Sequence, residues 1–224
     1  MNAAAAPVIA IDGPSASGKG TVAQAVAGRL GFHYLESGAL YRLIALAAQH
    51  KGVATNDAAS LSALAKGFEI DFRGGHIYMS DHEVTDELHS EDCGRRASEV
   101  AAIPGVRAAL LERQRAFRRP PGLVADGRDM GTLVFADAGL KVFLTANPEV
   151  RARRRYKQLN DKGIHANLRA LSRDLEQRDA RDAARAVAPL VPAPDAVQLD
   201  TSDLDVEDVV ERIVGWYTER NLVG

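Results

Sequence analysis

The chain is short of cysteine, short of aromatic residues and almost without net charge. Its one cysteine, Cys93, has no second thiol to pair with, so an internal disulfide is excluded. No run of about 18 apolar residues occurs, so neither a membrane-spanning helix nor a membrane partner is expected. Met1 to Pro7 hold no basic segment followed by a long apolar stretch, so a secretion signal is not expected either. With a lone thiol, that points to a reducing cytoplasm. Six histidines, His33, His50, His76, His82, His89 and His165, show no metal-ligand spacing, and no protein-built metal site is expected. A length of 224 residues suits one sizeable core with a small second lobe, not several independent domains. The formal charge of -2 would by itself argue against a nucleic-acid partner.

That sum hides a segregation. Between Arg107 and Arg185 there are 15 Arg and 3 Lys against 10 acids, a net of +8, and the rest of the chain totals -10. Such asymmetry points to an anionic ligand held on one side of the molecule. Arginine dominates because its planar fork suits phosphate and keeps its charge when partly buried. Single-strand binders interleave aromatics with their basic residues. Here the stretch holds only Phe117, Phe135, Phe143 and Tyr156, which disfavours RNA.

Val8-Ile9-Ala10-Ile11 is an apolar run bounded by Pro7 and Asp12-Gly13, the pattern of a short buried strand. A glycine-rich turn leads into a helix from Thr21 to Leu30, with Val22, Val26 and Leu30 on one face and Gly31 placed to end it. Phe32 to Leu35 forms a second strand and Leu40 to His50 a second helix, closed by Gly52. Strand–helix–strand–helix order implies parallel strands with crossover helices. The pattern then changes. Phe68 to Phe72 alternates at period two, and Arg73-Gly74-Gly75 leads into His76 to Met79, which predicts an antiparallel lobe inserted over residues 63–103. Pro104 starts a helix to about Arg118, stopped by Pro120-Pro121. Strands follow at Leu123–Ala125, Leu140–Leu144 and Ala196–Leu199. Helices are expected from Pro148 to Leu159, Leu168 to Ala184 and Val206 to Tyr217, with a polar break at 160–167.

The strongest signal is Gly13-Pro14-Ser15-Ala16-Ser17-Gly18-Lys19-Gly20-Thr21, between the first strand and first helix. Backbone N–H groups in such a loop converge on an anion, and the helix start adds its positive dipole end. Gly13 and Gly18 permit close approach, Lys19 reaches the phosphates nearest the reacting end of a nucleoside triphosphate, and Thr21 supplies a hydroxyl. The general motif has Ser or Thr directly after the lysine, on magnesium. Gly20 stands there, so any magnesium leans on water and carboxylates. An ordinary Gly/Ser turn is the plain alternative, and spacing, lysine and context together favour the phosphate loop.

The ending Gly18-Lys19-Gly20-Thr21 resembles nucleoside monophosphate kinases. Further blocks narrow the resemblance to the bacterial cytidylate kinase family. They are Glu36-Ser37-Gly38-Ala39-Leu40-Tyr41-Arg42, Pro104-Gly105-Val106-Arg107, Gln114-Arg115-Ala116-Phe117, Asp126-Gly127-Arg128-Asp129-Met130-Gly131-Thr132, Arg178-Asp179-Ala180-Arg181-Asp182 and Arg185-Ala186-Val187-Ala188-Pro189-Leu190. They span most of the chain in the family's order. Glu36 departs from the family's usual Asp and is left out of the site. The resemblance implies a P-loop type α/β fold, a parallel sheet flanked by helices, with an enlarged monophosphate-binding insert and a short helical lid over residues 148–167. It implies transfer of phosphate from ATP, with Mg2+, to CMP or dCMP.

By the same resemblance, Lys19 and the loop hold the donor, and Arg42 and Arg128 clamp the acceptor's phosphate. Ser37, Arg107, Asp129 and Arg185 recognise the base, and Arg178 with Asp182 holds the ribose. Asp126, at the end of an apolar strand, is placed to order magnesium through water. Arg151, Arg153, Arg154 and Arg155 begin the lid, and four such positions cannot all face one site. Spacing alone puts Arg178, Asp182 and Arg185 on one helical face, which a structural salt-bridge ladder would equally explain. Cys93, beside Arg95 and Arg96, is expected to be structural, and Trp216 and Tyr217 to pack on the core. A kinase for UMP or AMP, and an RNA-binding nucleotide switch, stand as alternatives. A monomer is the working expectation.

Overall fold

The computed structural model describes residues 5–67, 71–73, 76–79, 82–161 and 163–221. In chain order the elements are β1 (Val8–Asp12), α1 (Lys19–Leu30), β2 (His33–Glu36), α2 (Ser37–His50), α3 (Ala58–Gly67), β3 (Asp71–Arg73), β4 (His76–Met79), β5 (His82–Glu83) and α4 (Thr85–His89). Then follow α5 (Glu91–Val100), α6 (Pro104–Arg115), β6 (Leu123–Gly127), a π-helical turn (Met130–Val134), β7 (Leu140–Thr145), α7 (Pro148–Asp161), α8 (Leu168–Ala183), β8 (Val197–Asp200) and α9 (Val206–Asn221). They form two compact units, Met1–Glu36 with Arg115–Gly224, and Ser37–Gln114.

The first unit is built on a parallel sheet of order β2-β6-β1-β7-β8. β1 and β6 are buried along their whole length, which is why both read as continuous apolar runs. Ile9, Ile11, Val124, Val142 and Leu144 pack with Val22 and Val26 of α1 and Val209, Val210 and Ile213 of α9. Trp216 and Tyr217 lie against this core as expected, with Tyr217 edge-on to Phe32 at 5.6 Å between ring centres. Gly31 ends α1 at φ 66°, its N–H bonded to the carbonyls of Ala27 and Gly28.

In the second unit α2 packs against α3, α4 and α5, and β3, β4 and β5 pair antiparallel. The expected antiparallel lobe is therefore present. Residues 68–70 of its first strand and Gly74-Gly75 of its turn lie outside the described residues. Three helices in this region, α3, α4 and α5, differ from the sequence expectation. α5 falls inside the segment read as antiparallel. Ser90 caps it, its hydroxyl accepting the Cys93 N–H, and Glu91 and Asp92 occupy the first turn. Its buried face is Cys93, Gly94, Ala97, Ser98 and Val100, small residues that leave no bulky apolar stripe to detect. α6 stops at Arg115, three residues before the expected end. Among the described residues no helix is long and apolar enough to cross a membrane.

Candidate active site

β1 lies between β6 and β7, so the chain leaving its carboxyl end enters the crevice where strand order reverses. There it forms the expected loop. A Cβ on Gly13 would stand 2.2 Å from the Leu144 carbonyl oxygen, so the loop's first turn admits no side chain. Gly18, at φ 89°, turns the chain into α1, whose first amides point toward the loop. Lys19 Nζ donates to the Pro14 carbonyl at 3.1 Å. Burial, with Arg128 close by, pushes the Lys19 pKa down. The Ser17 hydroxyl is buried without a hydrogen-bond partner, whereas Thr21 is exposed. A Cβ on Gly20 would lie 3.6 Å from Tyr34 Oη and 3.7 Å from Asp126 Oδ2.

Asp126 is buried on β6 and accepts the Tyr34 hydroxyl at 2.7 Å. Burial raises its pKa against the pull of Lys19, and Glu36, its register partner on β2, pushes the same way as burial. Among the described residues no three His, Cys, Asp or Glu side chains cluster as a metal cage. Two neighbouring carboxylates are hard oxygen donors, too few to enclose a cation. That set fits magnesium, which keeps waters and takes its other ligands from phosphate.

Arg128 joins two elements. Its Nη2 donates to Ser15 Oγ at 2.7 Å and its Nε to Asp182 Oδ2 at 2.8 Å. Asp182 also pairs with Arg185, which lies just past the end of α8 and not on the helix. Burial alone would raise the Asp182 pKa, but Arg128 and Arg185, with Arg178 behind them, hold it below the ordinary carboxylate value. Asp129 is buried beside this group. So Ser15, Lys19, Asp126, Arg128, Asp129, Arg178, Asp182 and Arg185 all belong to the first unit. The second unit carries Ser37, Arg42 and Arg107. Arg42 donates to the carbonyls of Leu88 at 2.8 Å and Ser90 at 3.2 Å. Arg107 is buried, donates to the Ala101 carbonyl at 3.2 Å and lies 5.7 Å from the centre of the Tyr41 ring. Burial raises the Cys93 pKa, and its Sγ donates to the Arg42 carbonyl at 3.5 Å, as befits a structural thiol.

Sequence reasoning left the four arginines of α7 unsorted, and the structure sorts them. Arg151 is buried and donates to the Ser15 carbonyl at 3.1 Å and to Asp179 Oδ2 at 2.5 Å. Arg154 donates to Thr201 Oγ1 at 2.9 Å and to the Ser17 carbonyl at 3.4 Å. Arg153 is exposed beside Glu149, and Arg155 donates to Gln158. Three residues were missed outright. Asp179 accepts the Ser15 N–H at 3.4 Å, and Thr201 reaches the Ser17 carbonyl at 3.2 Å. Asp12, at the end of β1, accepts the N–H groups of Met130 and Gly131. Asp179 sits inside a quoted motif, and Asp12 is a polar residue closing an apolar strand, which was the one available signal.

A family model described as cytidylate kinase matches residues 9–219. The cytidylate kinase of Bordetella bronchiseptica is 56% identical over 216 residues, 96% of this chain and 97% of that protein. That of Burkholderia mallei is 59% identical over 213 residues, 95% of this chain and 93% of that protein. Among solved structures, a gluconokinase from Sinorhizobium meliloti aligns over 97% of this chain and 95% of its own, at a TM-score of 0.51 and 17% identity, a likeness of fold alone.

Proposed function

This chain belongs to the cytidylate kinase family, and from that premise we propose how its residues share the transfer of the γ-phosphoryl group of ATP to CMP or dCMP. An oxygen of the acceptor's 5′-phosphate bonds to the γ-phosphorus while the bond from that phosphorus to the β–γ bridging oxygen breaks. The products are ADP and CDP or dCDP. Little covalent work falls to the protein, so the catalytic task is alignment and neutralisation of charge on the moving group.

The amides of Gly13 to Thr21 hold the donor's phosphates. Lys19, whose Nζ donates to the Pro14 carbonyl, turns to them, and their negative charge opposes the downward shift that burial and Arg128 impose on its pKa. Arg128 and Arg42 clamp the acceptor's phosphate. Arg151 and Arg154, the two α7 arginines directed at the loop, belong to the lid that excludes water from the transfer. Asp126 and Glu36 would order the waters of a magnesium ion bound with the nucleotide, which would supply positive charge to offset that of the phosphates.

Cytosine presents an amino donor at N4 beside two acceptors, and uracil presents acceptor, donor, acceptor. Asp129 accepts from the amino group, while Arg185 and Arg107, with Ser37, serve the acceptors. Arg178 and Asp182 hold the ribose. A uracil in this setting leaves a buried group unpaired, at a cost of about 1–3 kcal/mol, or roughly ten- to a hundredfold in selectivity.

One observation carries it. The Arg128 guanidinium links the hydroxyl of Ser15, in the loop, to Asp182 on α8, which supports a reading in which the acceptor's cation works next to the loop that takes the donor. The test is ADP formation from ATP with each monophosphate in turn. CMP and dCMP are expected to turn over well, UMP roughly ten- to a hundredfold less efficiently, and AMP almost not at all. Equal efficiencies with CMP and AMP would overturn the assignment of base recognition.

A further inference from the structure

Asp12 is buried one residue before the phosphate loop, and the roles above do not use it. Its Oδ1 accepts the Met130 N–H at 2.9 Å and its Oδ2 accepts the Gly131 N–H at 2.8 Å. These are the first amides of the π-helical turn Met130–Val134, and the residue at that turn's own cap position, Asp129, makes no side-chain capping bond. Amides at a helix start lack intrahelical partners, and buried ones need an acceptor. Asp12 supplies it from a different strand.

The same residue also fixes the other end of this segment. Gly127 is the register partner of Asp12 in the pairing of β6 with β1. Residues 127 and 130 are thus both tied to Asp12, one through the sheet and one through the carboxylate. Arg128 and Asp129 are the two residues between them. The fit around the carboxylate is close. A Cβ on Gly131 would lie 3.4 Å from Asp12 Oδ2 and 3.2 Å from the Lys141 side-chain carbons. Charged groups facing Asp12 are Arg128 and Asp129, both from the loop.

We propose that Asp12 is a positioning residue that sets Arg128 and Asp129 for the acceptor, while the residue after it, Gly13, opens the donor loop. One carboxylate thereby ties the acceptor loop to the strand that carries the donor loop. The proposal rests on the reading that Arg128 and Asp129 serve the acceptor.

The test is steady-state kinetics at pH 8 on Asp12→Asn, with Asp129→Ala as the control for that underlying reading. Asparagine keeps the size, but it accepts only one amide properly and sets its own N–H against the other. Asp12→Asn is expected to raise the KM for CMP, or lower kcat, by about ten- to a hundredfold, as a misplacement near 1 Å does. The KM for ATP should move far less, and the amides of Met130 and Gly131 should lose protection from hydrogen exchange. If Asp12→Asn does not fold, Gly131→Ala, whose methyl crowds the Lys141 side chain at 3.2 Å and touches the Asp12 carboxylate at 3.4 Å, should shift the same turn and give the same split at smaller size. An unchanged KM and kcat for CMP in whichever variant folds, or equal losses for ATP and CMP, would overturn the positioning role even if Asp129→Ala weakens CMP binding. If Asp129→Ala leaves CMP kinetics intact, the acceptor reading fails and the proposal falls with it.

Discussion

Asp12 carries a second consequence, in stability. Burial, set against the two amide bonds, moves its pKa from 3.8 to about 7. Between those values the folded chain holds a proton that the unfolded chain does not. Asp12 therefore adds stability as pH falls from 7 toward 4, and that addition is lost as pH rises through 7. Arg128 and Asp129 face the group, and of these Arg128 favours its ionised form and Asp129 opposes it. Melting wild type and Asp12→Asn in parallel isolates the effect, because asparagine does not titrate. The stability difference in favour of wild type should grow as pH falls from 7 to 5.5, with a slope that approaches about 1.4 kcal/mol per pH unit as Asp12 becomes fully protonated. A difference independent of pH would mean that Asp12 is ionised throughout. Gly13 and Lys19 are legible in the sequence because their meaning is set by neighbours within the loop itself. Asp12 is not, because the amides it accepts lie 118 and 119 positions away.

A similar contrast holds for α7. Pro148 and a polar, arginine-rich run suffice to predict that helix, and helical geometry says that only some of its arginines share a face. Which face meets the loop depends on how α7 leaves β7 and packs on α8, and no local pattern encodes that. The answer is Arg151 and Arg154, three apart, both bonded to carbonyls of the phosphate loop. Arg151→Ala and Arg154→Ala are each expected to lower kcat/KM for ATP by about tenfold or more, the loss of a charge-assisted contact. Arg153→Ala, which removes only an exposed i,i+4 pair with Glu149, should stay within about twofold. Equal effects from all three would mean that the helix acts through bulk charge. α5 illustrates the opposite failure. Its Ser90 cap and acidic first turn were present in the sequence, but a face of small residues gave no hydrophobic stripe, and the alternating strands before it dominated the reading.

For the whole chain, the alternation of strands and helices in the first unit was enough to give the parallel sheet, since each buried strand is an apolar run bounded by a turn residue. The charge segregation was legible as well, but composition does not contain the pairing that engages it. Much of the +8 stretch is engaged internally. Arg118 pairs with Asp137, Arg128 and Arg185 with Asp182, Lys141 with Asp195 and Arg151 with Asp179. Cations held in this way, three of them around the phosphate loop and α8, suit the small anion of the proposed reading better than a long one. The two cases differ in salt dependence. A protein that neutralises 6–10 phosphates of a nucleic acid loses about 10³–10⁵ in affinity between 50 and 200 mM salt. A mononucleotide with one phosphate, held by buried and partly desolvated arginines, is screened much less. Over that range CMP affinity should fall by less than about tenfold, and excess single-stranded polyribonucleotide should not compete with it. A salt dependence as steep as that of a polyanion binder, together with competition by polyribonucleotide, would instead mean that the positive stretch presents an extended surface.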